Sequence, residues 1–208
     1  MKPIILASGS PRRHQLLKQM GVKFRVVVAD TQEAHGKGKA ARSICRRNAS
    51  AKARVVAVSN PRKTVLGADT LVHLDDKLLG KPRNLAEARR MLSLLSGKTH
   101  QVTTACALIC GNRRKVFTVT TRVGFRSLYD QQINDYLKAV HVLDKAGAYA
   151  IQGYAGSFVE SLSGSYSAVM GLPLCETTAL LALAGIHPCW KEVRVQDLFW
   201  PLIYHWES

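Results

Sequence analysis

The sequence predicts an α/β domain built on one mixed β-sheet. Short apolar runs alternate with amphipathic helical stretches along most of the 208 residues. Two long β-branched runs flank Gly111-Asn112 and read as an antiparallel hairpin, which an all-parallel sheet would not contain. The chain is 47% hydrophobic and 21% charged, enough apolar matter for a real core. The length fits one domain, or two small lobes sharing a cleft.

The elements follow in order. Pro3–Ala7 is a buried strand, Ser8-Gly9-Ser10 a turn, and Pro11 the first residue of a helix, where a missing N–H costs little. Leu16, Leu17 and Met20 give that helix its apolar face, and Gly21 stops it. Phe24–Ala29 reads as a second strand, with Val26–Val28 fully apolar. Residues 30–39 form a polar loop. A helix over 40–59 is expected to bury Ile44, Ala51, Val55 and Val58. Thr64–Leu74 is a strand, turning at Asp75-Asp76 into Lys77–Gly80. Asn84, with Glu87 three residues on, caps a helix whose core face is Ala88, Met91, Leu92 and Leu95. The hairpin strands span 101–109 and 115–126. A helix over 130–140, a strand over 158–162 and a helix over 174–185 complete a domain of residues 1–186. Residues 187–208 form a divergent tail with aromatics but no period.

Composition narrows the function. No run of about 18 apolar residues exists, so no membrane span is expected. The Ile4–Ala7 segment is shorter than a signal-peptide core of about 7–15 residues. The five cysteines are odd in number and lack metal spacing, as expected for reduced thiols in the cytoplasm. Thirty Lys and Arg against fourteen Asp and Glu give a net charge of +16, which favours polyanionic partners. Residues 34–68 and 88–129 contain no acid at all. A nucleic-acid-binding module is therefore a rival reading. Against it, aromatics are only 7%, and no stacking motif or helix-turn-helix signature appears.

Four segments carry chemistry. In Ser8-Gly9-Ser10-Pro11-Arg12-Arg13 a helix begins with two arginines in its first turn, against its own dipole. An anion docked there would be met by free N–H groups, the Ser8 and Ser10 hydroxyls and two guanidiniums. In Val65–Thr70, Asp69 is an acid inside an apolar strand, so it needs a partner. It is either an arginine's counter-ion, or a Mg²⁺ ligand and base for water. Gly67-Ala68 beside it leaves room for close approach. Lys81 lies between Gly80 and Pro82 in an extended loop and can neutralise phosphate as a point charge. The late loop Asp144–Gly153 ends in Gln152, whose amide can read a base edge. There is no Gly-x-x-x-x-Gly-Lys-Ser/Thr phosphate loop and no His-x-x-x-His pair.

Together these segments closely resemble the Maf family of nucleoside triphosphate pyrophosphatases. The matches run in order: Ala7–Arg13, Gly67-Ala68-Asp69-Thr70, Gly80-Lys81-Pro82, Leu95-Ser96-Gly97 with Thr99-His100, Asp144-Lys145-Ala146-Gly147-Ala148-Tyr149, Ile151-Gln152-Gly153 and Gly171-Leu172-Pro173. The resemblance implies an elongated mixed sheet of the inosine triphosphatase type, with two lobes around a nucleotide cleft. It implies cleavage between the α- and β-phosphates with a divalent cation (Mg, Mn or Co), a cytoplasmic location and a homodimer. By position Asp69 matches the catalytic base and Glu33 the acidic loop residue, both directed at metal. Arg12 and Arg13 match the phosphate-binding pair, and Lys81 and Lys52 the supporting lysines. Arg12, Thr70 and Gln152 match positions tied to substrate choice. The form of the late loop is similar to the branch acting on dTTP and UTP; the other branch acts on 7-methyl-GTP. The chain departs from the pattern at Ala150, usually glycine, in the very basic stretch 36–47, and from His187 onward.

Overall fold

The computed structural model describes residues 3–34, 36 and 38–190. Strand β1 (Ile4–Leu6) is buried on both sides, as a continuous apolar triplet requires. It lies parallel to β2 (Phe24–Val26) and to β3 (Thr64–Leu74). From β3 onward the pairing is antiparallel, through β5 (Thr99–Cys110) and β6 (Arg113–Phe125) to β7 (Val159–Ser163). The order is β2-β1-β3-β5-β6-β7, with β4 (Lys77–Leu79) paired to β3. The expected mixed sheet with flanking helices is thus present, with seven strands.

Strand alternation splits the core in two. Ile4, Leu6, Leu66 and Ala68 point to one face, where they meet Leu16 and Leu17 of α1 (Pro11–Gln19), Leu92 of α3 (Leu85–Leu95), Tyr136 of α4 (Asp130–Ala139) and Leu181 of α6 (Leu174–Ala182). Ile5, Ala7, Val65 and Ala105 point to the other face, under Cys45, Ala49, Ala53 and Val56 of α2 (Ala41–Val58). That helix is seated by Gly67. A Cβ there would lie 2.4 Å from the Ala49 carbonyl and 2.7 Å from the Ala53 nitrogen, so the helix backbone rests on the strand. The room foreseen at Gly67 is used by α2.

Three expectations are corrected. Strand β2 ends at Val26, and Val26 and Val28 are 39% and 68% exposed. This is the sheet's edge, where one flank has no partner strand to bury it. Val55 and Val58 of α2 are exposed at 47% and 74%, and the buried face runs instead through Ile44, Cys45, Asn48, Ala49 and Ala53. Small residues are needed where the helix lies closest to the sheet, so Val55 and Val58 turn outward while Val56 packs inward. A five-residue helix, α5 (Tyr166–Met170), was not anticipated; Ser165 caps it by accepting from the Ala168 N–H. The Asn84 cap holds as read, accepting from the Glu87 N–H at 2.9 Å, while the Glu87 carboxylate accepts from the Arg83 backbone and guanidinium. The tail aromatics from Phe199 onward lie outside the described residues.

Candidate active site

A cleft of about 390 Å³ opens where β1 runs into α1. One side is formed by 7–13, Val28, Ala29, Glu33, Lys52 and the middle of β3, the other by Gly80-Lys81 and the late loop. Nine of the ten candidate residues line it: Ser8, Ser10, Arg12, Arg13, Glu33, Lys52, Asp69, Thr70 and Lys81. Gln152 does not; it is half-buried at the start of a short 3-10 turn, and Ala150 and Ile151 border the cleft instead.

Asp69 and Thr70 are neighbours on β3 and so face opposite sides of the sheet. Asp69 faces α2 and is 4% exposed. One stripe of that helix holds it at three points. Lys52 Nζ donates to Asp69 Oδ1 at 2.6 Å, and Asn48 Nδ2 donates to Oδ2 at 3.0 Å. The Cys45 thiol donates to the Asp69 backbone carbonyl at 3.1 Å. The same Lys52 ammonium donates to Glu33 Oε1 at 2.8 Å, so one cation joins both acids. Burial pushes the Glu33 carboxyl up, but the Lys52 hydrogen bond and the charges of Lys52, Lys81 and Arg13 outweigh it and hold it below the usual range. Burial and the nearby Asp69 carboxylate push the Cys45 thiol far up, which removes it as a nucleophile at neutral pH.

Thr70 faces the helix-rich side. There Arg13, 8% exposed, is held by three acceptors: Nε donates to the Gly171 carbonyl at 2.8 Å, Nη1 to Ser8 Oγ at 2.9 Å and Nη2 to Thr70 Oγ1 at 3.0 Å. Thr70 pairs onward with Thr104, which donates to the Ala168 carbonyl at 2.7 Å. Gly171, with φ +110, ends α5 in the left-handed region, and that conformation places its carbonyl in reach of Arg13. A guanidinium carries five N–H groups, so one on each Nη remains for a ligand.

The two arginines of the first turn therefore differ. Arg13 is built into the wall, and Arg12 is half-buried at the cleft. Burial lowers the pKa of Arg12, partly offset by Asp144 across the cleft. Helix α1 has no acid in its first turn and no side chain capping it, so its terminal N–H groups are open to the cleft. Lys81 is exposed; its loop is tied to the late loop by the Gly147 N–H donating to the Gly80 carbonyl at 3.0 Å.

Sequence reasoning missed Asn48, Cys45 and Thr104. Asn48 and Lys52 are one helical turn apart, a spacing that marks a shared face. The signal was hidden by assigning the face to Val55 and Val58.

Two carboxylates joined by one cation thus share the cleft with an open helix N-terminus, an arginine and a lysine, a donor set suited to polyphosphate. The family model and the curated relatives agree on the family. The model for Maf-like proteins matches residues 3–184. A dTTP/UTP pyrophosphatase of Myxococcus xanthus is 48% identical over 90% of this chain and 95% of its own. One of Bacillus cereus is 46% identical over 84% and 86%. Among solved structures, the Staphylococcus aureus Ham1 protein aligns with a TM-score of 0.45 at 17% identity, over 60% of this chain and 72% of its own. The chain belongs to the Maf-like protein family.

Proposed function

We propose that the chain hydrolyses dTTP and UTP to the monophosphate and pyrophosphate. The observation that carries this reading is the Glu33–Lys52–Asp69 triplet beside the open N-terminus of α1. The N-terminus, Arg12 and Lys81 bind the phosphates; Arg13 and Ser8 hold the turn that presents them. Asp69 takes a proton from water as its oxygen attacks the α-phosphorus. The bond between that phosphorus and the bridging oxygen breaks, and pyrophosphate leaves with its charge met by the cleft cations.

A divalent cation (Mg, Mn or Co) fits the donor set. Glu33 and Asp69 would hold it, since hard cations accept one or two carboxylates and complete their shell with water and substrate phosphate. Among the described residues no three His, Cys, Asp or Glu side chains converge on a metal-sized space, so the rest of the ion's shell would come from water and phosphate. When bound, the ion supplies charge neutralisation at the phosphates. Arg12 and Thr70, which line the cleft, take part in choosing the pyrimidine base; Gln152 lies off the cleft wall and acts there only through the loop it shares with Ala150 and Ile151. The unit is residues 1–186, with 187–208 as an appended tail. The five cysteines are unpaired, which supports a reducing, cytoplasmic setting. No described helix is long and apolar enough to cross a membrane. A homodimer rests on the family resemblance, and sedimentation tests it.

Pyrophosphate release is measured from dTTP, UTP, CTP, 7-methyl-GTP and the purine triphosphates, with and without Mg²⁺ or Mn²⁺. Metal-dependent release, highest for dTTP and UTP, is the expected result. Preference for 7-methyl-GTP overturns the substrate assignment. Absence of release from all overturns the activity and leaves nucleic-acid binding, recognised by a steep loss with salt.

A further inference from the structure

We propose that Asn48 is a positioning residue that locks the two carboxylates of the site into one arrangement. The inference rests on the reading of Glu33 and Asp69 as the reacting pair.

Asn48 is 3% exposed, and its amide reaches two separate chain segments. Its Oδ1 accepts from the Ala34 backbone N–H at 2.8 Å. Its Nδ2 donates to Asp69 Oδ2 at 3.0 Å and lies 3.4 Å from the Ala34 carbonyl. Ala34 directly follows Glu33. One side chain thus clips the backbone beside one acid and fixes the carboxylate of the other. Lys52 joins the same two acids by charge, one helical turn further on.

The two links do different work. The lysine is a compact cation on a flexible stem, and an incoming phosphate or divalent ion competes for the oxygens it holds. An amide is neutral and directional, and it stays when charges rearrange. Asn48 therefore keeps Asp69 Oδ2 in place and the Glu33 segment in register while Lys52 Nζ exchanges partners. Leucine has the same branching at Cγ and would suit a helix face packed on a sheet. An asparagine here loses helix propensity and needs its partners to be buried at all, so the structure assigns it a role beyond packing.

The test compares wild type with Asn48→Leu, which keeps the branching at Cγ and removes every bond. A second variant, Asn48→Ser, is too short to span both partners and serves where the first does not fold. In a folded variant kcat for dTTP falls about 10–100-fold while KM stays within about threefold, the pattern of misplaced reacting groups rather than lost binding. Hydrogen exchange at the Ala34 amide accelerates while the rest of α2 stays protected. Mn²⁺ binding to the nucleotide-free protein, followed by titration, weakens about 10–100-fold. A folded variant with kcat and Mn²⁺ affinity within twofold of wild type overturns the proposal, and so does a loss confined to thermal stability. If wild type itself releases no pyrophosphate, the activity has failed rather than the clip. The Mn²⁺ titration and Ala34 exchange then decide it alone: a weakened ion and a faster amide support the clip, unchanged values overturn it.

Discussion

The two sides of the sheet meet at adjacent residues, yet they build different kinds of site. On the α2 side, Asp69 is held by an ammonium, an amide and a thiol from one helix stripe, and a second acid joins the same cation. On the helix-rich side, Thr70 belongs to a network of one guanidinium, hydroxyls and backbone carbonyls with no carboxylate in it. In the proposed reaction, the charges that exchange partners sit on the first side, and the second side fixes the cleft wall through Arg13. Substitutions on the α2 side should therefore register mainly in rate, and those on the other mainly in stability and binding.

The sharpest way to break this contrast is Asp69→Asn. Nucleotide binding is retained while kcat on dTTP falls about 10²–10⁴-fold, the scale of a general base. Normal turnover by this variant would remove Asp69 from that role.

Acid probes the helix-rich side next. His100 is buried there, 1% exposed, against Phe125 and the Tyr149 hydroxyl. Burial, helped by the charge of His73, pushes its pKa down to about 4. The unfolded chain binds that proton near pH 6.5 and the folded chain refuses it until about 4. Stability is thus present above about pH 6.5 and is lost as pH falls towards 4, by on the order of 2–3 kcal/mol. His100→Gln cannot titrate and should show a smaller drop in Tm between pH 7.5 and 4.5, which a pair of melting curves checks. Equal drops would place the acid-sensitive group elsewhere.

Gly67→Ala tests the seat of α2. The new methyl meets helix backbone below 3.0 Å, so the helix must lift, at a cost of about 1–3 kcal/mol. Because the displaced helix carries Asn48 and Lys52, Tm and kcat should fall together.

The smallest expected effect is that of Thr70→Val. It deprives Arg13 and Thr104 of one partner each, costing about 1–2 kcal/mol. Tm falls and KM for dTTP rises, with kcat the least affected. A kcat loss as large as that of Gly67→Ala would erase the distinction between the two sides.

How much of this the sequence revealed depends on the range of the interaction. The turn at Ser8–Arg13, the acid in β3 and the Lys81 loop are local patterns, and their residues line the cleft. Strand β3 runs from Thr64 to Leu74 as read, because a buried central strand has a continuous apolar signature. The face of α2 was misread because its burial is set by Gly67, which belongs to another element. The different fates of Arg12 and Arg13 were equally hidden. Arg13 is fixed by Ser8, by Thr70 from β3 and by the carbonyl of Gly171, which a short helix with no periodic signal brings in.

That last bond has a consequence for the order in which the protein is made. Arg13 and Gly171 are 158 residues apart in the chain, and both wall the same cleft. The first strand and helix emerge from the ribosome early, but the guanidinium keeps an unmet donor until nearly all of the domain has been synthesised. Closing so long a loop comes late in folding. A chain halted before Gly171 would carry Asp69, Glu33 and both lysines and still lack this part of the cleft wall, which is finished only when residue 171 is in place.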